Sequence, residues 1–141
     1  MIKRNDLKLI AETRLKEAKV LFDNGFYDGA GYLCGYVVET ALKAVICKNL
    51  RIDEYPDEGK DKTIFTSHDF DRLLLLSGLQ KRISLSNKKN KDLFENWSLL
   101  TAWKPEGRYV INGYTKKDVQ ELFKALEDKK HGFFSWIQKI W

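Results

Sequence analysis

A chain of 141 residues with 43% apolar and 32% charged side chains is long enough to bury a core without disulfides or metal, and too apolar to stay disordered. Its net charge of +5 permits contact with nucleic acid or an acidic partner but does not require it. Acidic residues at Asp92, Glu95, Asp118, Glu121, Glu127 and Asp128 interrupt the basic ones.

Two histidines and two cysteines without CxxC or HxxxH spacing leave no zinc or iron site, so no metal and no cofactor is expected. Cys34 and Cys47, thirteen positions apart on one helix-like stretch, are expected to be reduced and buried. The opening MIKRNDLKLI is charged at Lys3, Arg4, Asp6 and Lys8 and lacks the apolar region of a signal peptide. No run reaches the roughly 18 apolar residues of a membrane span. A single cytoplasmic domain over residues 1–141 is expected, with no membrane contact.

From Asn5 to Asp23, Leu7, Ile10, Ala11, Leu15, Ala18, Leu21 and Phe22 recur by threes and fours, which predicts an amphipathic helix capped by Asn5 or Asp6. Asn24-Gly25 supplies its stop. A second helix is predicted over Asp28 to Lys48. At about 100° per residue, Tyr32, Tyr36, Glu39 and Lys43 share one narrow stripe, and Ala30, Leu33, Val37, Ala41 and Ala44 lie opposite. That pattern belongs to a central bundle helix.

Residues 50–63 are polar, with Pro56 and Gly59, and are read as a loop. SHDFDRLLLLSGL then predicts a third helix of about ten residues, capped by Ser67 and ended by Gly78. Lys81 to Asn90 is read as a turn or short helix. A fourth helix is expected over Lys91 to Trp103, a loop over Lys104 to Thr115, and a fifth helix capped by Thr115 with Val119, Leu122, Phe123 and Leu126 inside. Phe133, Trp136, Ile137, Ile140 and Trp141 give an apolar end that either packs across the bundle or forms a dimer contact.

Gly29, Gly31 and Gly35 raise the question of a phosphate loop. A dinucleotide fingerprint needs GxGxxG after a strand, and these glycines give GxGxxxG after a helix. They are better read as clearance for a neighbouring helix. Glu39 and Lys43, spaced i, i+4, form an intrahelical pair. On so apolar a helix they need further partners, and Arg108 is the expected third member.

The segments Ala18, Leu21, Gly25, Tyr27, Ala30, then Glu39, Leu42, Lys43, Ala44, then Ser67, His68, Phe70, Leu73, and finally Arg108-Tyr109 together resemble the HEPN domain, named for higher eukaryotes and prokaryotes nucleotide-binding. The resemblance implies an all-α, up-and-down bundle, matching the five helices read above. It also implies a homodimer, often paired with a minimal nucleotidyltransferase. Many members are metal-independent RNases that use an Arg followed four to six residues later by His. This chain departs from that pattern, because Arg108 is followed by Tyr109, Asn112 and Tyr114, with no His before His131.

Metal-free RNA cleavage needs a group that moves a proton near neutral pH. Tyr114, with an ordinary pKa near about 10, is a poor replacement. The expected function is therefore a non-catalytic nucleotide-, RNA- or partner-binding module. An RNase toxin with a degenerate site and a pure interaction subunit are the alternatives. Candidate ligand-binding residues are Glu39, Lys43, His68, Trp103, Arg108 and Tyr109. Lys43 and Arg108 would face phosphate, Trp103 or Tyr109 would stack on a base, and His68 would either line the pocket or hold a helix start.

Overall fold

The computed structural model describes residues 2–60, 62–89 and 91–141. Among them are eight α-helices and no strand: α1 (Arg4–Asp23), α2 (Tyr27–Leu50), α3 (Lys62–Phe65), α4 (Phe70–Leu76), α5 (Gln80–Lys89), α6 (Lys91–Leu100), α7 (Lys116–Glu127) and α8 (Phe133–Ile137), with a 3₁₀ turn at Pro105–Tyr109. The all-α bundle is the expected class. Beyond the five helices read above, α3 lies at the edge of the segment read as a loop, α5 is the short-helix alternative for Lys81 to Asn90, and α8 lies in the apolar end.

α1 begins at Arg4, so Asn5 and Asp6 lie inside its first turn rather than capping it, and the N-cap Lys3 makes no side-chain capping bond. The start is held by backbone from another segment. Arg4 N–H donates to Asp53 O at 2.7 Å and Tyr55 N–H to Ile2 O at 2.8 Å, around an isolated antiparallel bridge between Lys3 and Glu54. At the far end, Gly25 takes φ +80°, and Phe26 N–H returns to Leu21 O, the left-handed stop that Asn24-Gly25 predicts.

α2 is the core helix. It packs against α1, α4, α7, α8 and the 3₁₀ turn, and Val37, Val38, Ala41, Leu42, Ala44, Ile46 and Cys47 are wholly buried. Burying one such Val, Leu or Ile side chain is worth about 1.5–3 kcal/mol. By length and composition α2 could also cross a bilayer, contrary to the expectation that no run comes close, but 72% of its apolar window is buried inside the bundle. Cys34 and Cys47 are free and buried. Burial, then the charge of Glu127, pushes the Cys34 thiol up to about 12, which keeps it protonated and unreactive.

Gly31 and Gly35 of α2 receive aromatic rings, whereas Gly29 faces Leu21 of the neighbouring helix α1. A Cβ on Gly35 would lie 1.9 Å from Trp103 Cε2, and one on Gly31 would lie 2.7 Å from Tyr114 Cδ1. The expected clearance is therefore real but is filled from the segment between α6 and α7.

α4 is capped by Asp69, whose side chain accepts from Arg72 N–H at 3.0 Å. The helix therefore starts two residues later than a Ser67 cap implies and has seven residues rather than ten. Ser67 instead accepts from Asp69 N–H at 3.1 Å. Residues 80–89 form a helix, and Asn90, the end of the segment read as a turn or short helix, lies outside the described residues. α6 stops at Leu100, and a turn carries the chain to Trp103. α7 begins with a full capping box between Thr115 and Asp118.

The C-terminal segment restarts after Gly132. The Asp128 carboxylate accepts from the N–H groups of Lys130 and His131, fixing the turn. Phe133, Phe134 and Ile137 then go into the core, and Phe133 packs on Trp97 with ring centroids 4.9 Å apart. Packing across the bundle thus accounts for the apolar end.

Candidate functional site

The polar stripe of α2 is assembled as its spacing predicts. Glu39 is 3% exposed, and a buried carboxylate costs several kcal/mol unless both oxygens find partners. Lys43 Nζ donates to Oε1 at 2.7 Å, and His68 Nδ1 lies 2.8 Å from Oε2. An ionised carboxylate only accepts, so Nδ1 is the protonated nitrogen in this pair and Nε2 remains for other partners. The His68 side chain is 53% exposed. Lys43 also lies over the Tyr55 ring, 5.2 Å from its centroid, and the Tyr55 hydroxyl donates to Phe65 O at 2.7 Å.

His68 occupies the place expected for Arg108. It is delivered by the segment before α4, which the Asp69 cap and the buried Phe70 hold against α2. Arg108 sits on the exposed 3₁₀ turn, with its guanidinium 4.8 Å from the Tyr109 ring centroid. Hydrogen bonds to Tyr109 and Tyr32 raise its pKa still further. Tyr32 in turn shares a 2.8 Å hydrogen bond with the Tyr36 hydroxyl. Tyr36 is pushed up to about 12 by that bond first, then by burial and by the charges of Tyr32 and Glu39, while Arg108 pulls it down. One polar file thus runs from Arg108 through Tyr32 and Tyr36 to Glu39.

Trp103 is not available as a stacking platform. It is buried, lies flat on Phe70 with an interplanar angle of 4° and centroids 5.2 Å apart, and donates from Nε1 to Tyr32 O at 3.1 Å. Its other neighbours are Gly35 and Tyr36. Tyr109, in contrast, is 76% exposed and heads an exposed run with Val110 and Ile111. That run is anchored by a residue the sequence reading did not single out: Asp28 accepts from Asn112 N–H at 2.7 Å and Tyr114 N–H at 2.9 Å. A carboxylate in the first turn of a helix was its only local signal.

Two grooves flank the Glu39–His68 bond. One, of about 410 Å³, follows the seam of α1 and α2 past Leu7, Ile10, Tyr32, Tyr36, Glu39, Lys43, Tyr55 and Asp57. The other, of about 380 Å³, is bordered by His68, Phe70, Trp103, Lys104 and Pro105. A wider cleft of about 890 Å³, between Lys3, Arg4, Asn5 and the Asp53–Glu54 segment, lies apart from these groups. Among the described residues no three His, Cys, Asp or Glu side chains converge as metal ligands.

The helical order, the buried glutamate of α2, the histidine ahead of α4 and the Arg-Tyr turn define a HEPN-type bundle. The family model of the HEPN domain matches residues 5–128, and the chain belongs to the HEPN family. No curated protein and no solved structure matches it.

Proposed function

We propose that this HEPN domain is a non-catalytic module that binds the phosphate of a nucleotide or RNA. In this reading it works in the cytoplasm as a homodimer or beside a minimal nucleotidyltransferase, with residues 1–141 acting as one domain. The observation that carries the reading is Arg108. Its guanidinium is exposed and oriented by Tyr109 and Tyr32, and among the described residues no carboxylate neutralises it. A planar, pre-oriented guanidinium binds phosphate through paired hydrogen bonds, and the open ring of Tyr109 adds a stacking surface. Glu39, Lys43 and His68 then support the face from within, hydrogen-bonded to one another.

The test is a thermal-shift series with nucleotides together with an RNA-degradation assay in chelator. Saturating nucleotide is expected to raise the melting midpoint by several degrees, Arg108→Ala to remove that shift, and RNA to survive intact.

One observation favours a second reading, metal-free RNA hydrolysis. His68, oriented by a buried carboxylate in the manner of an acid–base pair, offers an imidazole that the loop after Arg108 lacks. RNA degradation in chelator, abolished by both Arg108→Ala and His68→Ala with helical circular dichroism retained, would establish it. Absence of any nucleotide shift would favour a pure interaction subunit.

A further inference from the structure

The loop between α6 and α7 ends in an apolar tip that the reading above leaves unused. Its consecutive side chains Tyr109, Val110 and Ile111 are 76%, 52% and 88% exposed. Phe26, two residues before the Asp28 that clamps the loop, is 63% exposed at the same end of the bundle. None of the grooves described above is lined by residues 107–113, so these side chains stand on a protrusion and not in a hollow. Contiguous apolar surface left facing water marks an interaction site.

The tip is held on both sides. Trp103 fills the slot at Gly35 before it, and Tyr114 packs on Gly31 after it. Between these anchors, Val110 N–H donates to Gly107 O at 3.1 Å, and the N–H groups of Asn112 and Tyr114 donate to the Asp28 carboxylate. A Cβ on Gly113 would lie 2.9 Å from Val110 Cγ1, so the return of the loop is tightly closed. An N–H taken out of water without a partner costs free energy. Those of Val110, Asn112 and Tyr114 are already matched, so the tip is able to enter an apolar medium with these donors satisfied.

Charge narrows what that medium is. Lys104 and Arg108 precede the tip, Lys116 and Lys117 follow it at the start of α7, and all four are exposed. Of the carboxylates at this end, Asp28 and Asp118 are committed to backbone N–H groups, which leaves Asp23 and Glu106 against four cations. An aliphatic apex, a tyrosine beside it and cations behind it match, in order of depth, the acyl boundary, the headgroups and the phosphates of an anionic bilayer. A protein partner would need a pocket shaped to the tip, whereas a fluid bilayer yields to it. The expectation of no membrane contact rests on spanning runs alone, and a surface loop falls outside it.

We propose that the tip Tyr109–Ile111 docks this domain on an anionic lipid surface, with Ile111 inserted among the headgroups and Lys104, Lys116 and Lys117 facing lipid phosphates. The proposal goes beyond the nucleotide reading and does not depend on it. Arg108 stays with Tyr109 and Tyr32 and is left intact in the test, so the two fail separately.

Sedimentation of the full chain with vesicles of phosphatidylcholine alone, and of phosphatidylcholine with about one third phosphatidylserine, tests it on the native chain, on Ile111→Ser and on the double variant Lys116→Gln, Lys117→Gln. The native chain is expected to partition onto the anionic vesicles about tenfold or more above the neutral ones. Ile111→Ser is expected to lower that partition about tenfold, and the lysine pair also about tenfold. The melting midpoint should not move in either variant, because all three positions are exposed. No binding to the anionic vesicles, equal binding to both kinds, or binding indifferent to Ile111→Ser would each overturn the proposal. So would a dimer of the free chain, seen by analytical ultracentrifugation, that Ile111→Ser dissociates, since a second copy would then cover the tip.

Discussion

At the scale of single residues, Glu39 decides the most. It is a carboxylate in the middle of the most buried helix, tolerated because Lys43 and His68 take one oxygen each. The i, i+4 partner was legible from spacing alone. His68, 29 positions away, was not identifiable as the second partner, because only packing of the segment before α4 brings it to α2. Arg108 was expected there for its charge, yet the 3₁₀ turn leaves it outside, on Tyr109 and Tyr32. Trp103 looked like a platform because tryptophan is large and flat. Gly35 instead makes a slot for it, and a slot uses up both ring faces. Removing one partner of a buried pair leaves the other charge uncompensated, so Lys43→Ala, which strips the buried Glu39 carboxylate of its ammonium, is expected to cost about 3–5 kcal/mol. His68→Ala should cost less, since that side chain is half exposed. Urea denaturation of the two variants measures the difference.

At the scale of elements, the long periodic helices and the short α4, marked by its apolar run and Gly78, were legible, and the shortest pieces were not. α1, α2 and α7 repeat their apolar residues over three turns or more, so their existence and inner faces follow from the sequence. α3, at four residues, and α8, at five, carry too few turns for any period and form only where the chain is anchored at both ends. The start of α7 shows local chemistry that the sequence did predict. Thr115 and Asp118 cap each other's backbone, and Thr115→Ala is expected to lower stability by about 1 kcal/mol. The same box introduces a pH dependence. Hydrogen bonds from the Thr115 backbone and then its hydroxyl hold the Asp118 carboxyl below its ordinary value. A depressed folded-state pKa contributes stability above the ordinary carboxylate value and loses it as pH falls through the lowered one. The stability gap between the native chain and Asp118→Ala is therefore expected to be full at pH 7 and to close below about pH 4, as paired urea midpoints at the two pH values will show.

At the scale of the whole molecule, the bundle is organised around α2. α1 covers one side of it, α4, α7 and α8 cover others, and the 3₁₀ turn closes over its N-terminal half. The C-terminal tail and the segment between α6 and α7 complete the core, with Phe133 and Ile137 from the first and Trp103 and Tyr114 from the second. The pairing of residues 2–4 with residues 53–55 carries a consequence for how the molecule opens. It latches the two long helices into a closed ring, whose separation requires either unzipping those backbone bonds or unwinding a helix. Such a ring is a cooperative unit, and its centre cannot open by fraying. Amide exchange should show it. The N–H groups of Val37 to Leu42 are expected to exchange only through global unfolding and those of α5 by local opening. Arg4→Pro, which removes the N–H that Asp53 O accepts at a first helical position that tolerates proline, should unlatch the ring and move α1 into the faster class.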